Sequence, residues 1–233
     1  LGNILTKEVD SNEISLNIPT QGKEARLLLS YFIGVLLSRY SLDMEGIVYA
    51  GGDINNKWDL KEKGICYFTT SAYFENDIIK LLKDFLSITF SNEKLDLNLQ
   101  WIAESLELKV NEDAETRIRR YFLDEFFVDH CKMYHKRPIY WLVDSGKQKG
   151  LRTLIYMHRY QPDTMATIRF EHLQEIQAKY QQEIADLENR LVNPNLSATD
   201  KKKLNAEKVS FEKKIEELRE FDKRLAAIAA EEI

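Results

Sequence analysis

Arg137-Pro138-Ile139-Tyr140-Trp141-Leu142-Val143 runs into Asp144-Ser145-Gly146-Lys147-Gln148-Lys149-Gly150, and then into Leu151-Arg152-Thr153-Leu154-Ile155-Tyr156-Met157-His158-Arg159-Tyr160. Both flanks are β-branched and aromatic, which suits strands. The connector is polar with a glycine near each end, which suits a hairpin loop. The stretch therefore predicts a two-stranded hairpin whose loop and rim present Lys147, Lys149, Arg152, His158 and Arg159. Loops are ordinarily charged, so the residues by themselves favour a plain hairpin with a solvated basic tip over a ligand-binding ledge.

Outward from the hairpin the chain reads as mainly helical. Upstream, residues 1–22 are mixed and polar, an extended lead-in with one short strand expected around Glu13–Ile18. Lys23–Tyr40 has apolar residues on nearly every side and predicts a buried helix, with Gly34 permitting close approach of a neighbour. Short strands are expected at Ile47–Ala50, ended by Gly51-Gly52-Asp53, and at Gly64–Phe68. Helical periods follow over Phe74–Phe90, Asn92–Leu106 and Asp113–His135, and Pro138 then stops the last helix and opens the hairpin.

Downstream, Asp163 or Thr164 is placed to cap a helix. Ile168, Leu173, Ile176, Tyr180, Ile184, Leu187 and Leu191 mark its apolar face. Asn193-Pro194-Asn195-Leu196-Ser197 interrupts the pattern, which resumes with Leu204, Phe211, Leu218 and Leu225 at a spacing of seven. That spacing predicts a narrow seam, and two such helices joined by a short turn predict an antiparallel coiled-coil hairpin. The expected organisation is a lead-in at 1–22, an α+β domain at 23–162 carrying the hairpin at 137–160, and a helical hairpin at 163–233. The fold class is α+β, mainly helical. The terminal hairpin reads equally well as an arm for a partner or as a brace over the β-hairpin.

The 233 residues are 44% hydrophobic and 30% charged, with a net charge of −5, so the chain is no polycation. Its positive charge is local. Arg117 to Tyr160 holds ten Lys and Arg against Asp124, Glu125, Asp129 and Asp144, a balance of +6 that leaves −11 for the rest. Phosphate contacts supply affinity and register without base information. Arg117, Arg120, Lys147, Lys149, Arg152 and Arg159 are the candidates for weak, sequence-independent contact with DNA. Two cysteines, Cys66 and Cys131, give no disulfide framework and suit a reducing cytoplasm. No segment has the apolar length of a membrane span. The chain opens on Leu1, without the basic start or cleavage site of a signal peptide, and is expected to be an excised fragment.

Other chemistry is thinly represented. Tyr49-Ala50-Gly51-Gly52-Asp53 would follow a strand as a cofactor loop would, but a lone Gly-Gly reads far better as a tight turn. Cys131 and His135 lie one helical turn apart beside His130, yet no CxxC or second pair joins them, so no metal site is expected. Glu212-Lys213-Lys214 has the letters of a nuclease motif but sits on a solvent-facing helix rather than a strand. No catalytic, cofactor-binding or metal-ligating residue is assigned.

The hairpin stretch closely resembles the C-terminal part of the adenine-specific DNA methyltransferases of BREX phage-exclusion systems, which carry a similar Arg-Pro-Ile-Tyr-Trp-Leu run, a Ser-Gly-Lys hairpin and a run ending His-Arg-Tyr. Ser30-Tyr31-Phe32-Ile33-Gly34, Ser38-Arg39-Tyr40-Ser41-Leu42-Asp43, Gly46-Ile47-Val48-Tyr49-Ala50-Gly51-Gly52, Phe74-Glu75-Asn76-Asp77-Ile78-Ile79 and Arg120-Tyr121-Phe122-Leu123 agree in the same order. The similarity runs from about Glu24 to about Leu187 and covers only the tail of a much longer enzyme. It implies a parent that moves a methyl group from S-adenosylmethionine to the exocyclic amine of adenine in DNA. Such an enzyme needs an Asn/Asp-Pro-Pro-Tyr/Phe turn to hold the flipped base. The sole Asn-Pro pair here, Asn193-Pro194, lacks the second proline and the aromatic. The expectation is an accessory, non-catalytic fragment that supports DNA recognition or docks other phage-defence proteins through the helical hairpin. A purely structural module, and the tail of a fused restriction–methylation enzyme, are the alternatives.

Overall fold

The computed structural model describes residues 20–50 and 64–231. The strand expected at Glu13–Ile18, most of the lead-in and the Gly51-Gly52-Asp53 turn lie outside them. The hairpin forms, as β2 (Tyr140–Asp144) and β3 (Arg152–Tyr156), with Tyr140 opposite Tyr156 and Asp144 opposite Arg152. It is not two-stranded, however. β1 (Ile65–Phe68) pairs antiparallel along the other side of β3, with Ile65 opposite Ile155, so the order is β1-β3-β2. Side chains alternate across a strand. Cys66, Phe68, Tyr140, Leu142, Leu154 and Tyr156 enter one apolar cluster, while Ile65, Tyr67, Val143 and Ile155 enter another. The sheet is thus a middle layer covered by helices on both faces, in an α+β, mainly helical protein.

The first face is covered by α1 (Gln21–Leu36), α2 (Ile78–Phe90), α3 (Leu95–Ser105), α4 (Ala114–Asp124) and α5 (Phe126–Met133). Three of the five start with capping chemistry. Thr20, Asp77 and Asp113 each accept a hydrogen bond from a backbone N–H of the first turn, at 3.3, 3.1 and 2.9 Å. Two expectations change here. α1 buries Ala25, Leu29, Phe32 and Ile33, but Leu27 and Tyr31 are 46% and 37% exposed, so it is not buried all round. Gly34 does admit a close neighbour: a Cβ there would clash with the ring of Tyr40, which folds back after the helix. The single helix expected over Asp113–His135 breaks at Glu125, whose φ of −119° leaves the helical range. The break turns Phe126 into the core beside Phe122, with ring centroids 5.7 Å apart.

The strand expected at Ile47–Ala50 does not form. The Val48 N–H bonds instead to the Arg39 carbonyl at 2.8 Å, the Tyr49 carbonyl accepts from Tyr156 OH at 2.7 Å, and Ile47 is 55% exposed, so the backbone polar groups of this stretch are taken by loop and side-chain partners rather than by a ladder.

The second face is covered by a helical stretch, α6 (Thr164–Thr167), a π-helical segment Ile168–Leu173 and α7 (Gln174–Leu191), followed by α8 (Ala198–Glu231). The N-cap of α6 is Asp163, whose side chain makes no cap bond; the hydroxyl of Thr164, the first helical residue, accepts instead from the Gln161 N–H ahead of the helix at 2.8 Å. α7 and α8 run antiparallel. Glu188 pairs with Lys208 at 2.7 Å, Tyr180 meets Phe211 with centroids 5.5 Å apart, and Arg169 meets Asp222 at 2.7 Å. Ile176, Leu187, Phe211, Leu218 and Leu225 are buried between the helices and Ile184 is half-buried. The same cluster includes Ile65 and Ile155 of the sheet and Leu151 at the end of the hairpin loop, so the pair lies on the sheet rather than standing away from it. Among the described residues no helix is long and apolar enough to cross a membrane.

Candidate nucleic-acid interface

The hairpin loop is docked. Glu217 of α8 accepts from Ser145 Oγ at 2.7 Å, from the Gln148 N–H at 2.6 Å and from the Gly150 N–H at 3.2 Å. Gly146, with φ +145°, admits it: a Cβ there would meet a Glu217 oxygen at 2.7 Å. Arg224 donates to the Ser145 carbonyl at 2.7 Å, and Tyr180 OH to the Gly150 carbonyl at 2.7 Å. Nearby, Lys214 is buried against the Tyr180 and Phe211 rings with its ammonium on Thr70 Oγ1 at 2.8 Å, and desolvation pulls its pKa down.

The six candidate phosphate contacts are spread over this framework. Arg117 is buried, held by the Leu106 carbonyl and by Glu125 at 2.8 Å. Arg120 forks onto Glu112 at 2.8 and 2.9 Å, and that bond holds the Glu112 carboxyl down at about 2. Lys149 pairs with Asp124, and Arg152 with Asp144 at 2.8 Å and with the Leu123 carbonyl. Arg159 is 7% exposed and reaches Ser38 Oγ at 3.4 Å. Lys147 alone of the six is exposed at the loop tip without an ion pair among the described residues. Arg119, between Arg117 and Arg120, also finds a carboxylate: Asp77 takes its guanidinium in a bidentate pair at 2.7 Å. The linear island is therefore largely matched with acids on the fold, two of them, Glu112 and Asp77, brought from outside the island.

A second basic surface lies where α1 and α5 end. His135, Lys136 and Arg137 are exposed, and the Lys132 side chain is 74% exposed. Tyr134, which ends α5, lies against Arg39 and Tyr40. The Arg39 guanidinium donates to Tyr40 OH at 3.2 Å and Tyr156 OH at 3.0 Å, and it forms no ion pair among the described residues. Beneath them His130 is buried, its Nε2 accepting from the Ile139 and Tyr140 N–H groups at 3.2 and 3.3 Å. Arg39 was missed as a site residue although it stands in the Ser38-Arg39-Tyr40 motif; Glu217 was missed because nothing local separates it from its charged neighbours on α8.

Cofactor and metal chemistry can be tested on the same geometry. The strand that a cofactor loop at Tyr49–Asp53 requires is not formed, so the described part of that stretch does not fit the methionine end of S-adenosylmethionine. Cys131 is half-buried, His135 is exposed and His130 spends Nε2 on backbone amides, so these three do not converge. Among the described residues no group of three or more His, Cys, Asp or Glu is arranged to hold a metal ion.

No family model matches the chain. It is 34% identical over 237 aligned residues to the adenine-specific methyltransferase PglX of Lacticaseibacillus casei (strain Zhang), covering 97% of this chain and 19% of that protein. It is 39% identical over 215 residues to the adenine-specific methyltransferase BrxX of Escherichia coli O9:H4 (strain HS), covering 85% of this chain and 18% of that protein. The chain is therefore homologous to a segment of the BREX adenine-specific methyltransferases, and it spans about a fifth of their length.

Proposed function

We propose that this chain is the C-terminal, non-catalytic part of an adenine-specific DNA methyltransferase of BREX phage defence. The parent enzyme transfers the methyl group of S-adenosylmethionine to the exocyclic amine of adenine. This part contributes no reacting group; it supports recognition of the DNA by holding phosphates, and it works in the cytoplasm, where its thiols stay reduced. The observation that carries the reading is the match of 97% of the chain to only 19% of a named methyltransferase. The missing four-fifths leave room for the cofactor and base-holding motifs that this sequence lacks. The outward faces of α7 and α8, filled with Lys, Glu and Arg, offer a second surface to other phage-defence proteins.

A second reading is a packing module without DNA contact. It draws on the docking of the hairpin loop by Glu217 and on the carboxylate partners of Arg117, Arg120, Lys149 and Arg152. Titration of fluorescent duplexes at several salt concentrations separates the two. Weak binding that ignores sequence and fades as salt rises supports the accessory DNA role, because phosphate contacts release counterions. No binding even near 50 mM salt, where such contacts are strong, leaves the packing module.

A further inference from the structure

We infer that the phosphate-contacting surface of this chain is the basic turn that ends α5, formed by Lys132, Lys136 and Arg137 with Arg39 beside it, rather than the β-hairpin tip. The inference rests on the DNA-contact reading above and names the site that serves it.

Cations at a helix C-terminus commonly have a local task, since they hydrogen-bond the last carbonyls and oppose the helix dipole. Here that task is already filled by backbone. The carbonyls of His130, Cys131, Lys132 and Tyr134 accept from the N–H groups of Tyr134, Lys136, His135 and Arg137, at 3.0, 2.7, 3.1 and 2.8 Å. The Lys136 to Cys131 bond is the closing bond of a Schellman turn, with His135 in the left-handed position that glycine usually takes. His135 and Lys136 have φ of +50° and +63°. The lysine and arginine side chains are thus not needed as caps.

Ion pairing does not occupy Lys136 and Arg137 either. Lys132 pairs with Asp129 at 3.5 Å, a carboxylate that also accepts from Arg26 at 3.0 Å and Tyr121 OH at 3.3 Å. Lys136, Arg137 and Arg39 form no ion pair among the described residues, in contrast to Arg117, Arg119, Arg120, Lys149 and Arg152. The turn is also held on its far side, where the Ile139 and Tyr140 N–H groups are fixed on His130. A turn pinned at both ends presents its cations without a large ordering cost on binding. Lys136 and Arg137, exposed, pre-positioned and without an ion pair among the described residues, with Lys132 and Arg39 beside them, fit the phosphates of a DNA backbone.

The test compares three forms of the whole chain in duplex titrations across salt. Lys136→Glu/Arg137→Glu should lower the magnitude of the slope of log affinity against log salt by about two units, one for each lost phosphate contact. Lys147→Glu/Lys149→Glu should leave the slope near that of the parent. Lys136→Gln/Arg137→Gln, which removes charge without adding repulsion, should repeat the first result, and circular dichroism should match the parent because both residues are exposed. A parent that binds while both turn variants keep its slope overturns this assignment and leaves the DNA-contact reading standing. A parent that does not bind removes that reading as well. Tighter binding of polyglutamate than of duplex at equal charge would assign the turn to an acidic protein and overturn the proposal.

Discussion

Ser145 Oγ lies 2.7 Å from a carboxylate oxygen of Glu217, a hydrogen bond that joins the β-hairpin to the terminal helix across 72 residues of sequence. Ser145 is 1% exposed, its hydroxyl also accepts from the Leu151 N–H at 3.0 Å, and its backbone N–H bonds the Leu151 carbonyl at 3.0 Å, so the loop is cinched at its base as well as its tip. A basic, glycine-bearing loop that reads as a solvated tip is in this fold a socket for one carboxylate.

Glu217→Ala removes the acceptor of three donors at once. Hydrogen bonds to charged groups contribute about 1.5–3 kcal/mol each, but Glu217 is only partly buried and water can replace part of them. The expected loss is about 2–3 kcal/mol in urea denaturation, with faster hydrogen exchange at the Gln148 and Gly150 amides. A Ser145→Ala/Glu217→Ala cycle should give a coupling above about 0.5 kcal/mol, as residues in one network do. Additive losses would mean the pair does not hold the loop.

Leu218 tests the seam between the terminal helices and the sheet together. It is fully buried, and Gly150 of the hairpin loop approaches it so closely that a Cβ on the glycine would meet its side chain at 3.1 Å. Leu218→Ala should cost about 2–5 kcal/mol, the transfer term plus the cavity left behind. A loss below about 0.5 kcal/mol, the scale of surface substitutions, would mean that the helices do not cover the loop in solution.

What was legible in the sequence was local. Strands at Tyr140–Asp144 and Arg152–Tyr156 follow from β-branched and aromatic residues around a glycine-bearing loop, and the heptad spacing of Leu204, Phe211, Leu218 and Leu225 marks the face of α8 that is buried. What was not legible depends on partners distant in sequence. Nothing in Ile65–Phe68 says that it pairs with β3, because register is set by the sheet face and not by the strand alone. Arg119 reads as a free cation until Asp77, 42 residues away, is brought against it. The island's charge was countable, but its neutralisation was not. Conversely, Lys136 and Arg137 stand beside the hairpin in the sequence, and only the fold shows that backbone bonds close the α5 turn and that no carboxylate among the described residues pairs with these two.

S-adenosylmethionine gives a direct check of the division of labour. The chain has no Asn-Pro-Pro-Tyr turn, and the strand needed ahead of Gly51-Gly52 does not form. Calorimetry should therefore detect no specific complex between this chain and the cofactor. A stoichiometric micromolar complex would move the catalytic centre into this segment and overturn the accessory reading.

Acid should loosen the protein through His130. The ring is 2% exposed, and its Nε2 accepts two backbone N–H bonds, so the neutral form carries its proton on Nδ1. Burial pushes the pKa from 6.5 down to about 4, and the nearby Arg39 cation pushes the same way. Between those values the unfolded chain binds more protons than the folded one. The stability held by the neutral ring is therefore complete above about pH 6.5 and is lost as pH falls toward 4. A shift of that size is worth about 3 kcal/mol. Glu112, held low by Arg120, acts in a separate window, losing its contribution as pH falls from 4.5 toward 2. Urea denaturation at pH 7, 5.5 and 4.5 (values spanning the histidine window) should show the parent losing stability faster than His130→Gln. The glutamine carbonyl can accept the Ile139 and Tyr140 N–H groups, and it does not titrate. Equal losses in the two proteins would assign the acid sensitivity to other groups and return His130 to a purely steric role in the core.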